Sequence, residues 1–423
     1  MCQKYCISVK ILWIGQKCIS WHMHMSQTKT IYCMKKSLFL FILAALTMVS
    51  CQESMKQLSD RVFEVAEYQF AEMDKNLTET TVPKSTRFGV LVPSESKSWT
   101  SGFYPGSLWY TYLYTGNEDI KALAEKNTEK LYIETQIVRS HDIGFMVNCS
   151  YGNALRITGD EKYREPFINA AHLLTTRFNP TVGLTLSWNQ SKKRPHWHYP
   201  VIIDNMMNLE LLTQAHKLCG VDSLLTVAHT HAKTTMKNHF RPDFTTWHVV
   251  DYEPETGEVR MKVTHQGYSD DSAWARGQAW AVYGYTMMFR ETEDAEYLAQ
   301  AENIARMLLD RLPEDGIPYW DFDSPDAPDS QRDASAGAIM ASSFIELAGF
   351  TQDKALSKNL MAMAEKQIRT LASPEYLAEK GTNGHFLLKH SVGSYPSNTE
   401  VNVPLTYADY YFLEALLRIN GKL

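Results

Sequence analysis

Cysteine is scarce in the part of this chain that can fold. Only two of the seven cysteines follow residue 51, which excludes a disulfide framework for a domain of this length. Cys149 and Cys219 form no zinc-ligand pattern with the histidines, so we predict no zinc site. We expect the last two of the seven to be buried free thiols: Cys2, Cys6, Cys18, Cys33, Cys51, Cys149 and Cys219.

Positive charge is limited as well. The chain has 42 Lys and Arg residues against 48 Asp and Glu residues, which gives a formal net charge of −6. Neither half of the chain has a sustained basic surface, and this excludes nucleic acid as a partner. Any attraction for an anionic ligand must therefore be local.

The N-terminal region reads as an export signal. Lysines follow Met34, residues 38–46 are apolar but too short to span a membrane, and Cys51 comes shortly afterwards. This order predicts a lipoprotein-type signal peptide over 34–51, although Met48 stands where such signals usually have leucine. We therefore predict a periplasmic protein, attached to the outer or inner membrane through a lipid on Cys51.

Residues 1–33 show neither the features of an export signal nor the pattern of a folded segment, and we expect them to precede the true start codon. Residues 52–423 would then form a single catalytic domain.

The rest of the chain is rich in helical patterns. Short turns of Gly, Thr and Asp separate amphipathic segments, and each turn predicts a helical hairpin in which Asp or Asn caps the second helix. Apolar residues make up 44% of the sequence, enough for a large core. The five turns are 115–117, 158–160, 219–222, 292–294 and 351–353.

In each hairpin the first helix is more apolar than the second, as residues 279–289 and 294–309 illustrate. This contrast predicts buried inner helices and outer helices with one wet face. With an opening helix at 55–73 and a closing helix at 405–419, the count reaches about twelve. We predict an all-α fold, an (α/α)6 barrel.

An open α-solenoid is the alternative architecture, since it also stacks helix pairs. A solenoid should show a nearly constant repeat length, whereas the turns here are unevenly spaced. Long inserts at 181–199, 239–270 and 313–333 separate the hairpins and contain much of the Trp, His and Asp. Long connections on a helical scaffold are where function tends to reside.

Asp204 is the only charged residue in the run 201–209. An acidic side chain among apolar neighbours loses its water shell, which raises its pKa into the range useful for proton transfer. The alternative is that Asp204 only caps the helix that begins after Pro200. Both interpretations are open at this point.

Asp142 lies just before a predicted helix that ends at Ile157. The start of a helix favours an ionised carboxylate, so Asp142 should keep a low pKa while that of Asp204 rises. Two carboxyl groups in divergent environments suit acid and base roles, as in many glycosidases. Asp142 could equally be a plain N-cap.

Arg276 and Trp280 lie four residues apart, on one face of a predicted inner helix. There a guanidinium can bind a carboxylate while the indole stacks against a sugar ring. Gln266 could supply a further donor. The alternative is an Arg276 ion pair with Asp270 or Asp271.

Tryptophan also occurs in the inserts, where it can form the walls of a carbohydrate cleft. His248 is a plausible polar contact in such a cleft, although a lone histidine can be structural. The aromatic candidates are Trp99, Trp188, Trp197, Trp247 and Trp320.

Six segments, in order along the chain, resemble the unsaturated glucuronyl hydrolases, glycoside hydrolase family 88. They are Trp99-Thr-Ser-Gly-Phe-Tyr-Pro-Gly, His141-Asp142-Ile-Gly-Phe, Ile203-Asp204-Asn-Met-Met, Trp274-Ala-Arg-Gly-Gln-Ala-Trp280, Arg332-Asp-Ala-Ser-Ala and Tyr407-Ala-Asp-Tyr-Tyr.

The resemblance implies an (α/α)6 barrel without a metal or other cofactor. It also implies removal of the unsaturated uronic acid that polysaccharide lyases leave at the non-reducing end, by hydration of its C4–C5 double bond. Asp204 matches the catalytic acid and base, and Asp142 the second essential carboxylate. The sugar site would be lined by Trp99, Trp188, His248, Gln266, Arg276 and Trp280.

The Arg-Gly-Gln-Ala-Trp segment favours glycosaminoglycan disaccharides and short oligosaccharides as substrates. The related rhamnogalacturonyl hydrolases, which act on pectin fragments, more often have Arg-Gly-Asn-Gly-Trp. A glycan-binding lipoprotein without catalysis is a third possibility, but it would not need both Asp142 and Asp204.

Overall fold

The structure is a computed structural model that describes residues 53–190 and 195–423. The predicted signal peptide, the segment before it and Cys51 lie outside the described residues. No helix in the described segments is long and apolar enough to cross a bilayer. Cys149 and Cys219 are free thiols; the first is buried, as expected, whereas the second is partly exposed.

Twelve helices form the framework of the described residues. They are α1 (Met55–Asp74), α2 (Phe103–Thr115), α3 (Glu118–Glu129), α4 (Ile143–Val147 and Asn153–Thr158, joined by the π-helical turn Asn148–Gly152), α5 (Arg164–Thr175), α6 (Asn205–Cys219), α7 (Asp222–Asn238), α8 (Ala275–Thr292), α9 (Ala295–Arg311), α10 (Ala334–Phe350), α11 (Lys354–Leu371) and α12 (Thr406–Ile419). Short 3-10 turns lie at Tyr132–Thr135, Glu161–Tyr163 and Asn383–His385.

All five predicted turns connect the two helices of a hairpin. Gly220 illustrates how such a turn is made, because its φ of 71° is a conformation that residues with a Cβ rarely adopt. Asp294 and Asp353 cap the second helix of their hairpins through backbone N–H groups, as predicted. The third hairpin differs: Val221 is the N-cap and Asp222 is already helical.

The predicted inner helices pack against one another in a closed ring. Each of α2, α4, α6, α8 and α10 contacts the next, and α12 contacts both α10 and α2. The six remaining helices return on the outside, and α8 shows the contrast because it is buried without interruption over its first 14 residues. The fold is an (α/α)6 barrel, and the ring rules out the open solenoid.

The connections contain short strands that the sequence patterns did not predict. Because these strands are only two to seven residues long, they give little periodic signal. The sheets are all antiparallel: β1 (Thr81–Arg87) with β2 (Val90–Glu95), β3 (Phe178–Asn179) with β4 (Leu184–Thr185), β5 (Tyr199–Ile202) with β6 (Val249–Tyr252) and β7 (Val259–Val263), and β8 (Ser391–Ser394) with β9 (Thr399–Val403).

All six inner helices begin at the same end of the barrel, because each short hairpin returns the chain to that end. Candidate catalytic and binding residues lie at or just before the first residue of each inner helix. In chain order these residues are Trp99, Asp142, Asp204, Arg276, Asp333 and Tyr407, of which Asp333 and Tyr407 were not predicted as site residues.

Candidate active site

Hydrogen bonds separate the two interpretations of Asp204. The residue occupies the N-cap position of α6, but its side chain makes no capping bond. It is 7% exposed, and Oδ2 accepts no hydrogen bond from any described residue. Burial raises the pKa of this carboxyl group to about 7, against the opposing effect of the Arg276 charge. Asp204 can therefore hold a proton near neutral pH.

The imidazole of His248 faces Asp204, with Nε2 lying 3.8 Å from Oδ2. Its other ring nitrogen, Nδ1, accepts the backbone N–H groups of His265 and Gln266, both at 3.1 Å. A nitrogen that accepts hydrogen bonds carries no proton, so neutral His248 must carry its proton on Nε2. The ring thus directs an N–H group towards the buried carboxyl group.

Asp142 is held by side chains and not by helix capping. It stands at the N-cap position of α4 without a capping bond. Ser140 Oγ donates to Oδ2 at 2.7 Å, and His141 Nε2 lies 3.3 Å from Oδ1. Ser140 thus holds one carboxylate oxygen, while part of the group remains exposed.

Arg276 is 1% exposed and lies among acceptors. Nη1 donates to Asp333 Oδ2 at 2.9 Å and to the carbonyl oxygen of Val392, and Nη2 donates to Gly393 O at 2.6 Å. The ion pair with Asp333 replaces the alternative pairing with Asp270 or Asp271. Arg276 Nε is buried and makes no hydrogen bond to any described residue.

These groups surround one pocket. Its lining combines both carboxyl groups with Arg276, Gln266 and two tryptophans: Trp99, Asp142, Trp188, Ile202, Asp204, Gln266 and Arg276. The cavity of about 80 Å³ is well below the roughly 300 Å³ of a pocket that encloses a drug-sized ligand. At most one sugar ring fits inside, and a second ring must lie at the mouth.

A family model described as Glycosyl Hydrolase Family 88 matches residues 64–419. The chain belongs to this family. An unsaturated glucuronyl hydrolase of Formosa agariphila is 45% identical over 326 residues, which cover 76% of this chain and 80% of that protein. An unsaturated chondroitin disaccharide hydrolase of Streptococcus pneumoniae is 32% identical over 327 residues, covering 77% and 82%.

A solved structure agrees in fold as well as in sequence. The crystal structure of an unsaturated glucuronyl hydrolase specific for heparin is 42% identical and superposes with a TM-score of 0.83, covering 86% of this chain and 97% of that one. This protein is therefore a family 88 glycoside hydrolase with the barrel of that family.

In this family 88 hydrolase, Trp280 is more deeply buried than its predicted contact with a sugar requires. Its ring is fully buried and packs against Phe145 and Tyr411, with ring centroids 5.2 and 5.5 Å apart. No face of the ring is exposed in this structure, and the sugar contact of Trp280 stays a prediction. The indole N–H instead lies near Asp204, where it lowers the pKa of that group.

The remaining tryptophans divide into two groups. Trp188 lines the pocket and stacks on Trp197, with centroids 5.6 Å apart and rings within 16° of parallel. Trp320 is buried under Tyr395, and Trp247 is covered by the cations of Arg241 and Lys262, so neither lines the pocket of this family 88 hydrolase.

Sequence reasoning assigned no role to four residues that shape the site. Asp333 pairs with Arg276, the Tyr407 ring lies 5.3 Å from the Arg276 guanidinium, His141 lies beside Asp142, and Asn208 hydrogen-bonds to His141. Three of them belong to the segments that resemble the family, which was the available signal. Apart from the neighbours His141 and Asp142, the partners are far apart in sequence, and a single sequence does not reveal such pairs.

Proposed function

We propose that this family 88 hydrolase removes the 4,5-unsaturated uronic acid from the non-reducing end of lyase-generated glycosaminoglycan oligosaccharides. The observation that carries the proposal is Asp204, a buried carboxyl group with a pKa raised to about 7, in a pocket that also holds Asp142 and Arg276. Such a group can donate a proton to carbon near neutral pH.

In the proposed reaction Asp204 protonates C4 of the alkene, and water adds at C5. The product has a hydrogen on C4 and a hydroxyl on C5, which is a hemiketal. This hemiketal opens to a ketone, and the rearranged sugar then releases its neighbour. Asp204, ionised after the first step, can accept a proton from the attacking water.

The pocket supplies groups for the rest of the sugar. We assign the uronate carboxylate to Arg276 and Gln266, since both line the pocket beside Asp204; the Gln266 amide also donates to Gly393 O at 2.9 Å. We assign the second sugar to Trp188, an aromatic residue of the pocket lining. Glycosaminoglycan fragments are supported as substrates by the names of the relatives and by the Arg-Gly-Gln-Ala-Trp segment.

The direct test is a panel of lyase-derived disaccharides that differ in linkage and sulfation. The purified protein should remove the ultraviolet absorbance of the conjugated double bond for at least one glycosaminoglycan disaccharide. An unsaturated rhamnogalacturonan disaccharide serves as the comparison, and preferential loss of its signal would redirect the proposal to pectin. If the signal persists for every uronide, the proposed function is wrong.

The pH dependence should reflect Asp204. The folded pKa of about 7 means that the protonated acid prevails below this pH and is lost above it. We therefore expect kcat/KM to fall on the alkaline side with an apparent pKa near 7, by about tenfold per pH unit beyond it. Initial rates measured from about pH 5 to 9 would check this; a profile without an alkaline decline would contradict it.

We also propose that the enzyme is periplasmic and anchored through a lipid on Cys51. The basic residues after Met34, the apolar segment 38–46 and the following cysteine support this proposal. Incorporation of labelled fatty acid into the wild-type chain, and its absence in Cys51→Ser, would test it.

A further inference from the structure

The two pocket carboxyl groups share a feature that the reaction scheme does not use. Each faces a histidine: His248 Nε2 lies 3.8 Å from Asp204 Oδ2, and His141 Nε2 lies 3.3 Å from Asp142 Oδ1. His141 has no exposed surface, so it cannot bind substrate itself. Any influence that it has on the reaction must act through its neighbour.

We propose that His141, oriented by Asn208, is a positioning residue that keeps its Nε2–H directed at Asp142. The proposal rests on the function given above, since it concerns the second carboxylate of that reaction. It makes His141 and Asn208 part of the machinery although neither touches the sugar.

The hydrogen bonds of Asn208 fix the direction of donation. Its Oδ1 accepts the backbone N–H of Phe145 at 2.8 Å, so the other end of the amide, Nδ2, is the donor that faces His141 Nδ1 at 3.2 Å. His141 Nδ1 must therefore be an acceptor without a proton. In a neutral ring the proton then lies on Nε2, on the side of Asp142.

Gly144 allows this arrangement. A Cβ at this position would lie 2.4 Å from Asn208 Oδ1 and 2.6 Å from its Cα, closer than side chains tolerate. The amide can thus lie directly against the turn that contains Asp142. This contact packs the turn that contains His141, Asp142 and Gly144 against α6, the helix that begins just after Asp204.

The surroundings of His141 keep the ring neutral. Burial lowers its pKa, the Asp142 charge opposes this, the Arg177 charge adds to the lowering, and the Asn205 side chain opposes it. A neutral ring with Nδ1 occupied is held in one tautomer, with its N–H on the side of Asp142. Ser140 donates to Asp142 Oδ2, and His141 Nε2 lies 3.3 Å from Oδ1 without completing a hydrogen bond in this structure.

The competing explanation is that His141 only fills space in the core. Three variants separate the explanations. His141→Gln keeps an N–H donor near the position of Nε2, His141→Leu keeps the volume without a donor, and Asn208→Asp replaces the donor to Nδ1 by an acceptor. The third change should move the histidine proton to Nδ1 and leave a lone pair facing Asp142.

We expect His141→Leu and Asn208→Asp to lower kcat by about 10- to 100-fold, the usual effect of losing a group that orients a reacting one. KM should change much less, and His141→Gln should keep most of the activity. His231→Leu is the matched control, because His231 is equally buried and lies outside the pocket. If His141→Leu retains the kcat of the wild type, or His141→Gln is no better than His141→Leu, the proposal is wrong.

A nitrogen NMR spectrum of histidine-labelled enzyme reads the tautomer without any substrate, and comparison with His141→Gln assigns the signals. The wild type should show His141 protonated on Nε2, and Asn208→Asp should show it protonated on Nδ1. A wild-type ring protonated on Nδ1 would overturn the proposal even if His141→Leu fails to fold. An enzyme inactive on all uronides would instead contradict the proposed function.

Discussion

Replacing Asp204 by asparagine is expected to lower the rate strongly and, at neutral pH, to stabilise the fold. Asparagine cannot donate the proton, and loss of a general acid costs about 10²- to 10⁴-fold in rate. The stability gain follows from the raised pKa, since the folded protein must bury an ionised carboxylate above pH 7. At about 1.4 kcal/mol per pKa unit, a gain of about 2–4 kcal/mol is expected.

The sign of the effect can be checked against pH. A folded pKa above the ordinary aspartate value of 3.8 favours folding most at low pH, and this contribution is lost as the pH rises through about 7. Thermal unfolding of wild type and Asp204→Asn should therefore differ most near pH 8 and converge near pH 4. Asp204→Asn that is active, or less stable than wild type at pH 8, would contradict the assignment.

Asp409 offers a control for the chemistry. It is also buried, with a pKa raised to about 7, but its oxygens accept the backbone N–H groups of Leu387 and Leu388. Asp409→Asn should affect stability through those bonds while leaving the chemical step unchanged.

Replacing Arg276 by alanine should damage both the fold and substrate binding. It removes the partner of Asp333, whose carboxylate has no exposed surface, and breaking one side of a buried ion pair costs about 3–5 kcal/mol. It also removes the guanidinium that we assign to the uronate. We expect the free energy of unfolding to fall by that amount and KM to rise by about 100-fold.

Asp333→Asn separates the two effects. It breaks the same ion pair but can keep Oδ1, which caps α10 through Ser335 N. Urea unfolding should show a similar loss of stability for both variants, whereas KM should rise much further in Arg276→Ala. Equal KM values in the two variants would mean that Arg276 is only structural.

The helical framework could be predicted because its signals are local. Glycine at Gly220 and capping residues such as Asp294 specify turns through their own backbone preferences, and apolar content distinguished inner from outer helices. Strands β5 and β6 could not be predicted, since they form only by pairing residues about 50 positions apart. Such pairs leave no periodic pattern in either segment.

The site could be predicted only in part, because only some of its residues have local sequence signals. Asp204 and Asp142 were singled out from their immediate neighbours, and the structure places both in one pocket. The burial of Trp280 could not be predicted, because helical spacing shows which residues share a face, not whether that face is covered by Tyr411. The catalytic and binding roles of all these residues, including Asp204 and Asp142, stay predictions.

Because all six inner helices begin at the same end of the barrel, their dipoles affect the electrostatic potential at that end. Each helix start carries about half a unit of positive charge from its aligned peptide dipoles, at the end of the barrel where Asp142, Asp204 and Asp333 lie. In a protein of net charge −6, the dipoles therefore reduce the repulsion that these carboxylates would exert on an incoming acidic sugar.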